Sequence, residues 1–139
     1  SSPTLSTVWK ISVGLRIPMA ALLSQSKNHD YKVQHLNDVV PIQEDDGKIS
    51  VYNIFPFDPV TGMDFLYIHL EPSGYYPSVG HPNAQEEYVV VTEGELTLTI
   101  AGKTYILGVG DSITFSGEEP HAYENRGEVR TVFQSVMRY

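Results

Sequence analysis

Two stretches of the chain concentrate side chains that can bind a metal or exchange protons. The first carries His81, Asn83 and Glu87, and the second carries His121. Because alternate side chains of an extended strand face the same side, the first three are expected to converge, with His121 as their partner. The chain has no cysteine, so any metal is expected to be bound through nitrogen and oxygen atoms.

These residues lie in a part of the chain whose hydrophobic pattern has a period of two. In residues 95–100, for example, Leu96, Leu98 and Ile100 share one face and threonines alternate with them. The pattern predicts about nine short strands, at residues 31–36, 48–55, 63–70, 88–92, 95–100, 104–107, 112–115, 121–124 and 129–137. Short glycine-containing connections favour antiparallel pairing. The predicted fold is therefore all-β, a small antiparallel barrel or double-sheet jelly roll.

The N-terminal segment has a helical pattern instead. Apolar residues recur at steps of three and four from Leu5 to Leu15, and Pro18 separates this predicted helix from a second one at residues 19–23. Residues 24–30 are polar throughout and are typical of a linker. The predicted organisation is a helical segment at 1–23, a linker at 24–30 and a strand-rich domain at 31–139.

Composition limits the functions that we expect of this chain. Its 139 residues suffice for one ordinary core, and no apolar run approaches the roughly 20 residues of a membrane-spanning helix. The formal charge of −8 disfavours direct contact with nucleic-acid phosphates. We expect a soluble, cytoplasmic domain, and because the sequence opens with Ser-Ser-Pro rather than Met, we expect it to belong to a longer product.

The two ligand-bearing stretches resemble the two sequence motifs of the cupin family. The residues in register with the first motif are His81, Asn83, Glu87 and Gly94. Those in register with the second are Gly110, His121 and Asn125, with Ser116-Gly117-Glu118 at the place of the family's Pro-x-Gly. The resemblance covers roughly residues 63–136 and implies the same barrel that the strand pattern predicts.

The resemblance implies a metal site formed by His81, Glu87 and His121, with coordination positions left open for a ligand or water. Asn83 stands where the family has a further metal-binding histidine, and an amide oxygen is a weaker ligand than imidazole. We expect one divalent metal, with zinc as the occupant by availability and iron, manganese or nickel as alternatives. A metal-free barrel, in which the same three residues bond to one another, is the competing hypothesis.

The N-terminal segment resembles the last two helices of the helix-turn-helix domain of xre-type transcription regulators, over the stretch from Pro3 to Met19. Regulators in which such a domain precedes a cupin form a family that uses the cupin as a metabolite sensor. The resemblance implies that helices upstream of this chain bind DNA and that the protein is a homodimer matching two half-sites. Residues 88–92 also favour a homodimer, because an almost continuous apolar run is typical of a strand buried on both faces.

The leading functional hypothesis is a ligand-sensing cupin domain of a bacterial DNA-binding transcription regulator, without enzymatic activity. Its effector is expected to be a metabolite of amino-acid or amine size bound at the metal. Candidate ligand-binding residues are Asn83 in the first motif, His69 and Tyr67 on the strand that enters it, and Tyr76 in the loop leading to it. A metal-dependent cupin enzyme of the dioxygenase or isomerase type is the alternative.

Overall fold

A computed structural model describes residues 3–16, 18–19 and 30–139. The chain divides into two compact units, Ser1–Val33 and Gln34–Tyr139. The predicted second helix at 19–23 and the predicted linker at 24–30 lie outside the described residues, apart from Met19 and Asp30.

The N-terminal unit contains one described helix, α1, at Leu5–Leu15, with the bounds that the sequence predicts. The Thr4 hydroxyl caps it by accepting a hydrogen bond from the Thr7 backbone N–H at 3.2 Å. Arg16 ends the helix in the left-handed conformation, with φ of 56°. No helix among the described residues is long and apolar enough to span a membrane.

The second unit consists of ten described strands and a short 3-10 helix at Leu36–Asp38. The strands are β1 (Ile42–Glu44), β2 (Ile49–Asp58), β3 (Met63–Leu70), β4 (Tyr75–Ser78), β5 (Glu86–Glu93), β6 (Leu96–Ile100), β7 (Lys103–Leu107), β8 (Ser112–Phe115), β9 (His121–Glu124) and β10 (Thr131–Arg138). They form two antiparallel sheets, in the orders β1-β2-β3-β10-β5-β8 and β4-β9-β6-β7. The predicted all-β, double-sheet fold is confirmed.

The core lies between the two sheets and is formed by the apolar residues of their facing sides. Its buried members are Ile49, Val51, Ile68, Leu70, Val89, Val91, Leu96, Leu98, Ile100, Leu107, Tyr123 and Phe133. The rings of Tyr123 and Phe133, one from each sheet, are 4.8 Å apart between centroids. Strands such as β2, β3, β5 and β6 contribute alternate residues to this core, as a period of two requires.

Eight of the nine predicted strands are present, and β3, β8 and β9 have the predicted bounds. The strand predicted at 31–36 is wrong: residues 30–35 form no regular element, and Leu36 begins the 3-10 helix. Tyr31 and Val33 are 91% and 83% exposed, so the alternation of apolar residues there does not mark a buried face. Two strands were not predicted, because β1 has only three residues, all exposed, and β4 contains Pro77, which an edge strand tolerates.

Strand register places a row of inward-facing residues at one end of the large sheet. Met137 of β10 lies opposite both Asp64 of β3 and Glu87 of β5, and Glu87 lies opposite Phe115 of β8. In the smaller sheet, His121 lies opposite residues of both β4 and β6. Two antiparallel sheets thus hold the polar residues of the site in fixed register.

Candidate metal centre

Glu87 is a buried carboxylate whose two oxygens have different surroundings. Oε1 accepts hydrogen bonds from the hydroxyls of Ser135, at 2.7 Å, and Tyr123. Oε2 is buried and has no hydrogen-bond partner among the described residues. The two hydroxyl donors therefore fix the carboxylate through one oxygen and leave the other available to a cation.

His121 has one ring nitrogen committed to the backbone. Its Nδ1 lies 2.8 Å from the carbonyl oxygen of Glu119, and because a carbonyl only accepts, Nδ1 carries the proton. Nε2 is the nitrogen left to bind a metal; it is buried and has no hydrogen-bond partner in the described chain. It lies 3.5 Å from Oε2 of Glu87, which is close to the separation of two adjacent ligands of one metal, about 3.3 Å for bonds near 2.1 Å.

His81 completes the group from the loop between β4 and β5. Its ring centroid is 6.1 Å from that of His121. The ligand atoms of His81, Glu87 and His121 all lie within 4.8 Å of one another, so the structure brings together the three residues that the sequence predicts. Two imidazole nitrogens and one carboxylate oxygen form a donor set suited to zinc, iron, manganese or nickel.

Two loops hold the histidines in place by packing tightly against each other. The backbone N–H of His81 donates to the carbonyl of Gly117 at 2.8 Å. A Cβ on Gly117 would lie 2.6 Å from that of Ala84, and one on Gly80 would overlap the backbone carbonyl of Glu118. Gly80 also has φ of +94°, which side chains rarely adopt. Glycine is therefore required at both positions for the loops to approach.

Asn83 does not converge with Glu87, and the expectation of an extended strand through residues 81–87 is wrong. The structure has a turn there, closed by the hydrogen bond from the Ala84 N–H to the His81 carbonyl at 3.0 Å. Asn83 is exposed with φ of +68°, and Pro82 precedes it. Proline followed by a residue with positive φ is typical of a type II turn, so the amide serves backbone geometry.

Tyr67 and His69, the two candidate ligand-binding residues of β3, lie on the outer face of that strand. The inward residues of β3 are those that alternate with them, including Ile68 and Leu70. The outer pair instead packs with Tyr52, whose ring centroid is 5.2 Å from that of His69. Partial burial, followed by the charge of Arg130, lowers the pKa of His69.

Tyr76, by contrast, adjoins the site. Its ring stacks on that of Tyr123, with centroids 6.3 Å apart and planes 22° apart. Burial, then the charges of Glu44 and Glu87, raise the pKa of Tyr76. Burial, then Glu87, raise the pKa of Tyr123 well above its usual value, which keeps its hydroxyl protonated as a donor.

Sequence reasoning missed two polar residues of the site, Ser135 and Asp64. Ser135 is fully buried between the inward positions Phe133 and Met137. Asp64 occupies the inward position at the start of β3, and burial raises the pKa of its carboxyl. Both residues are polar but occupy positions where the period-two pattern has apolar residues. A polar residue at an inward position of a strand is the sequence feature that would have identified them.

Paired sheets with histidines and a carboxylate at one end of the barrel define a cupin. The family model of the cupin domain, Cupin_2, matches residues 66–137, and the chain belongs to this family. The chain is 30% identical to the HTH-type transcriptional regulator SutR of Escherichia coli (strain K12) over 139 residues, all of this chain and 74% of SutR.

Two solved structures of regulators are also similar. The Cupin_2 domain of an XRE family transcriptional regulator from Enterobacter cloacae is 33% identical, with a TM-score of 0.64 over 66% of this chain and 97% of that one. An HTH_3 family transcriptional regulator from Vibrio cholerae is 28% identical, with a TM-score of 0.66 over 100% of this chain and 74% of that one.

Enzymes share the same fold. The structure of FeII HppE is 17% identical, with a TM-score of 0.67 over 96% of this chain and 75% of that one. At this identity the likeness concerns the fold alone.

Proposed function

We propose that this chain is the ligand-sensing domain of a bacterial DNA-binding transcription regulator. The observation that carries this proposal is the 30% identity to SutR across all 139 residues, which includes the N-terminal segment as well as the barrel. An isolated barrel domain would match over the barrel alone. DNA binding is assigned to a part of the protein upstream of this chain, and the protein is placed in the cytoplasm with its operator.

The metal site of the proposed sensor is His81, Glu87 and His121. Its support is the pair of buried, unpartnered atoms, Oε2 of Glu87 and Nε2 of His121, which lie 3.5 Å apart. A buried polar atom without a partner costs about 1–3 kcal/mol, and one divalent cation satisfies both. Zinc is the proposed occupant by availability, and the same donors accept iron, manganese or nickel.

The surrounding residues prepare the ligands. Tyr123 and Ser135 hold Glu87 through Oε1, and the Glu119 carbonyl sets the tautomer of His121. A bound metal would supply positive charge and open coordination positions for one donor group of the effector. A small barrel encloses about one small ligand, so the proposed effector has the size of an amino acid or amine. Tyr76 borders this space through its stacking on Tyr123.

Sensing requires that effector binding change the affinity of the whole protein for DNA. Such coupling is typically about 1–3 kcal/mol, a 5- to 150-fold change in affinity. The experiment is a calorimetric screen of amino acids, amines and sugars against the metal-loaded chain, followed by operator binding of the full-length protein with and without each hit. A hit that leaves operator affinity unchanged contradicts the sensor.

A metal-dependent cupin enzyme, of the dioxygenase or isomerase type, is the second candidate. The observation that favours it is Asp64, a partly buried carboxyl that interacts electrostatically with His81 and Glu87, since a carboxyl near the metal residues could serve as a general base. The same calorimetric hits discriminate the two candidates. Consumption of a hit over many turnovers would establish the enzyme, whereas binding without turnover favours the sensor.

A further inference from the structure

Asp64 is an acidic residue on an otherwise apolar, inward-facing side of β3. It shares that side with Leu66, Ile68 and Leu70. Its cross-strand neighbour is the buried Met137, which is in turn the neighbour of Glu87. Asp64 therefore sits at the same end of the barrel as the candidate metal centre, two strands away from its carboxylate.

One oxygen of the Asp64 carboxyl has no partner in the described ranges, although the carboxyl accepts a hydrogen bond from the backbone of Met137. The oxygen without a partner is Oδ1, which is buried. The charged groups that act on it are His81 and Glu87, and neither is a permanent cation. Asp64 interacts electrostatically with His81 and Glu87 but is not one of the three residues whose ligand atoms converge within 4.8 Å.

The charged groups at this end of the barrel indicate which distribution of charge a matching ligand should have. A divalent ion at the proposed site would be balanced by the carboxylates of Glu87 and Asp64, with the positive charge at the metal and a negative charge displaced toward β3. A ligand that has no net charge but carries a negative group at one end and a positive group at the other matches this arrangement. Its negative end would bind the metal and its positive end the unpartnered oxygen.

We propose that Asp64 determines the specificity of the pocket by binding the ammonium group of a zwitterionic ligand whose carboxylate occupies an open position on the metal. This inference rests on the metal site proposed above. It excludes simple carboxylates as good ligands, because they would leave the buried Oδ1 of Asp64 without a partner.

The test uses the 139-residue chain loaded with cobalt(II), whose visible absorption changes when its ligands change. The probes are two pairs with the same carbon skeleton, with and without the ammonium group: β-alanine against propionate, and 4-aminobutyrate against butyrate. Titrations are run on the parent, on Asp64→Asn and Asp64→Ala, and on Asp46→Asn, which changes an exposed turn carboxylate as a matched control.

The parent is expected to prefer at least one amino acid over its ammonium-free partner by about 10- to 100-fold, the worth of a hydrogen bond to a charged group. Both Asp64 variants lose this preference while keeping the cobalt content of the parent, and Asp46→Asn keeps both. Equal affinity for both members of each pair in the parent, or a preference that survives in both Asp64 variants, overturns the inference. Loss of cobalt in Asp64→Asn also overturns it, because Asp64 would then be a ligand. A parent that takes up no cobalt overturns the metal site and this inference with it.

Discussion

The two oxygens of the Glu87 carboxyl have different surroundings, and this is the main feature of the site among its single residues. Oε1 accepts hydrogen bonds, and Oε2 has no hydrogen-bond partner among the described residues. Ser135 and Tyr123 both donate to Oε1, so the carboxyl group is held in one orientation. Metal affinity then depends on residues that never touch the metal, since a ligand that is free to rotate loses entropy when it binds.

Removal of one of these donors is expected to weaken metal binding without abolishing it. Ser135→Ala deletes a hydroxyl that lies 2.7 Å from Glu87 Oε1. We expect a 10- to 100-fold loss in metal affinity and a loss of about 1–3 kcal/mol in the free energy of unfolding. Competition with a metal-binding dye measures the first quantity, and urea denaturation measures the second. Thr99→Ala, which removes a hydroxyl from an exposed part of β6, is the control, and equal metal affinity in both variants contradicts this role of Ser135.

His69 makes the free energy of unfolding depend on pH, and it does so independently of the candidate metal centre. Its pKa is lowered in the folded protein, so below the ordinary value of 6.5 the unfolded chain binds more protons than the folded one. The stability that His69 contributes is therefore present above pH 6.5 and is lost as the pH falls through its folded pKa. Because the side chain is partly exposed, solvent screens the effect, and we expect less than about 1 kcal/mol.

The measurement for His69 is denaturation of the parent and His69→Gln between pH 5 and 8. The parent should lose more stability than the variant on acidification. His35→Gln changes an exposed histidine outside the sheets and serves as the control. Parallel stability curves for the parent and His69→Gln would be the contrary result.

Among the elements, strands with one buried face were predicted correctly from apolar residues that recur with a period of two. β3 and β9 were predicted with their bounds because Ile68, Leu70 and Tyr123 mark an inward face that alternates with more exposed residues. The predicted helix at Leu5–Leu15 was found for the analogous reason, with apolar residues at helical spacing.

Sequence reasoning failed where backbone geometry or a missing neighbour decides the structure. Pro82 and Asn83 form a turn where a strand was expected, because a left-handed residue interrupts the extended chain. The alternation at residues 31–36 does not mark a buried face, because Tyr31 and Val33 are exposed. Which side of β3 faces inward depends on its pairing with β10, and pairing is a long-range property that one strand does not specify.

The two loops of the site contact each other at Gly80, and a substitution of Gly80 tests whether this contact supports the metal site. We expect Gly80→Ala to lower the free energy of unfolding by at least about 2 kcal/mol and to reduce metal content, because the new Cβ meets the Glu118 carbonyl at a positive φ. Gly102→Ala is the matched control, since Gly102 also has positive φ but has open space around it. Metal content by elemental analysis should fall only in Gly80→Ala, and a fall of equal size in both variants refutes the role of the loop contact.

At the scale of the whole molecule, the outer face of the large sheet favours a homodimer. Val89 and Val91 of β5 are buried inward, but Tyr88 and Val90 remain exposed on the outer face, beside Val136 of β10. Such a groove of apolar side chains is suited to a second copy, and our proposal of a regulator with two DNA half-sites requires one.

We expect the chain to sediment as a dimer at tens of micromolar and Val90→Glu to sediment as a monomer with unchanged metal content. A charge at this face would be buried without a partner in the dimer. Val109→Glu is the control, since Val109 is exposed in the turn between β7 and β8. A monomeric parent, or a dimer that survives Val90→Glu, contradicts this interface.

The metal content of the purified chain measures directly whether His81, Glu87 and His121 form a metal site. Elemental analysis of protein purified without chelator is compared between the parent, His81→Ala, His121→Ala and the turn variant Asn83→Gly. We expect about one divalent metal per chain in the parent and in Asn83→Gly, because Asn83 is exposed and lies in a turn. We expect strongly reduced metal in both histidine variants. A parent without metal, or equal metal in the parent and both histidine variants, would contradict a metal site formed by these residues.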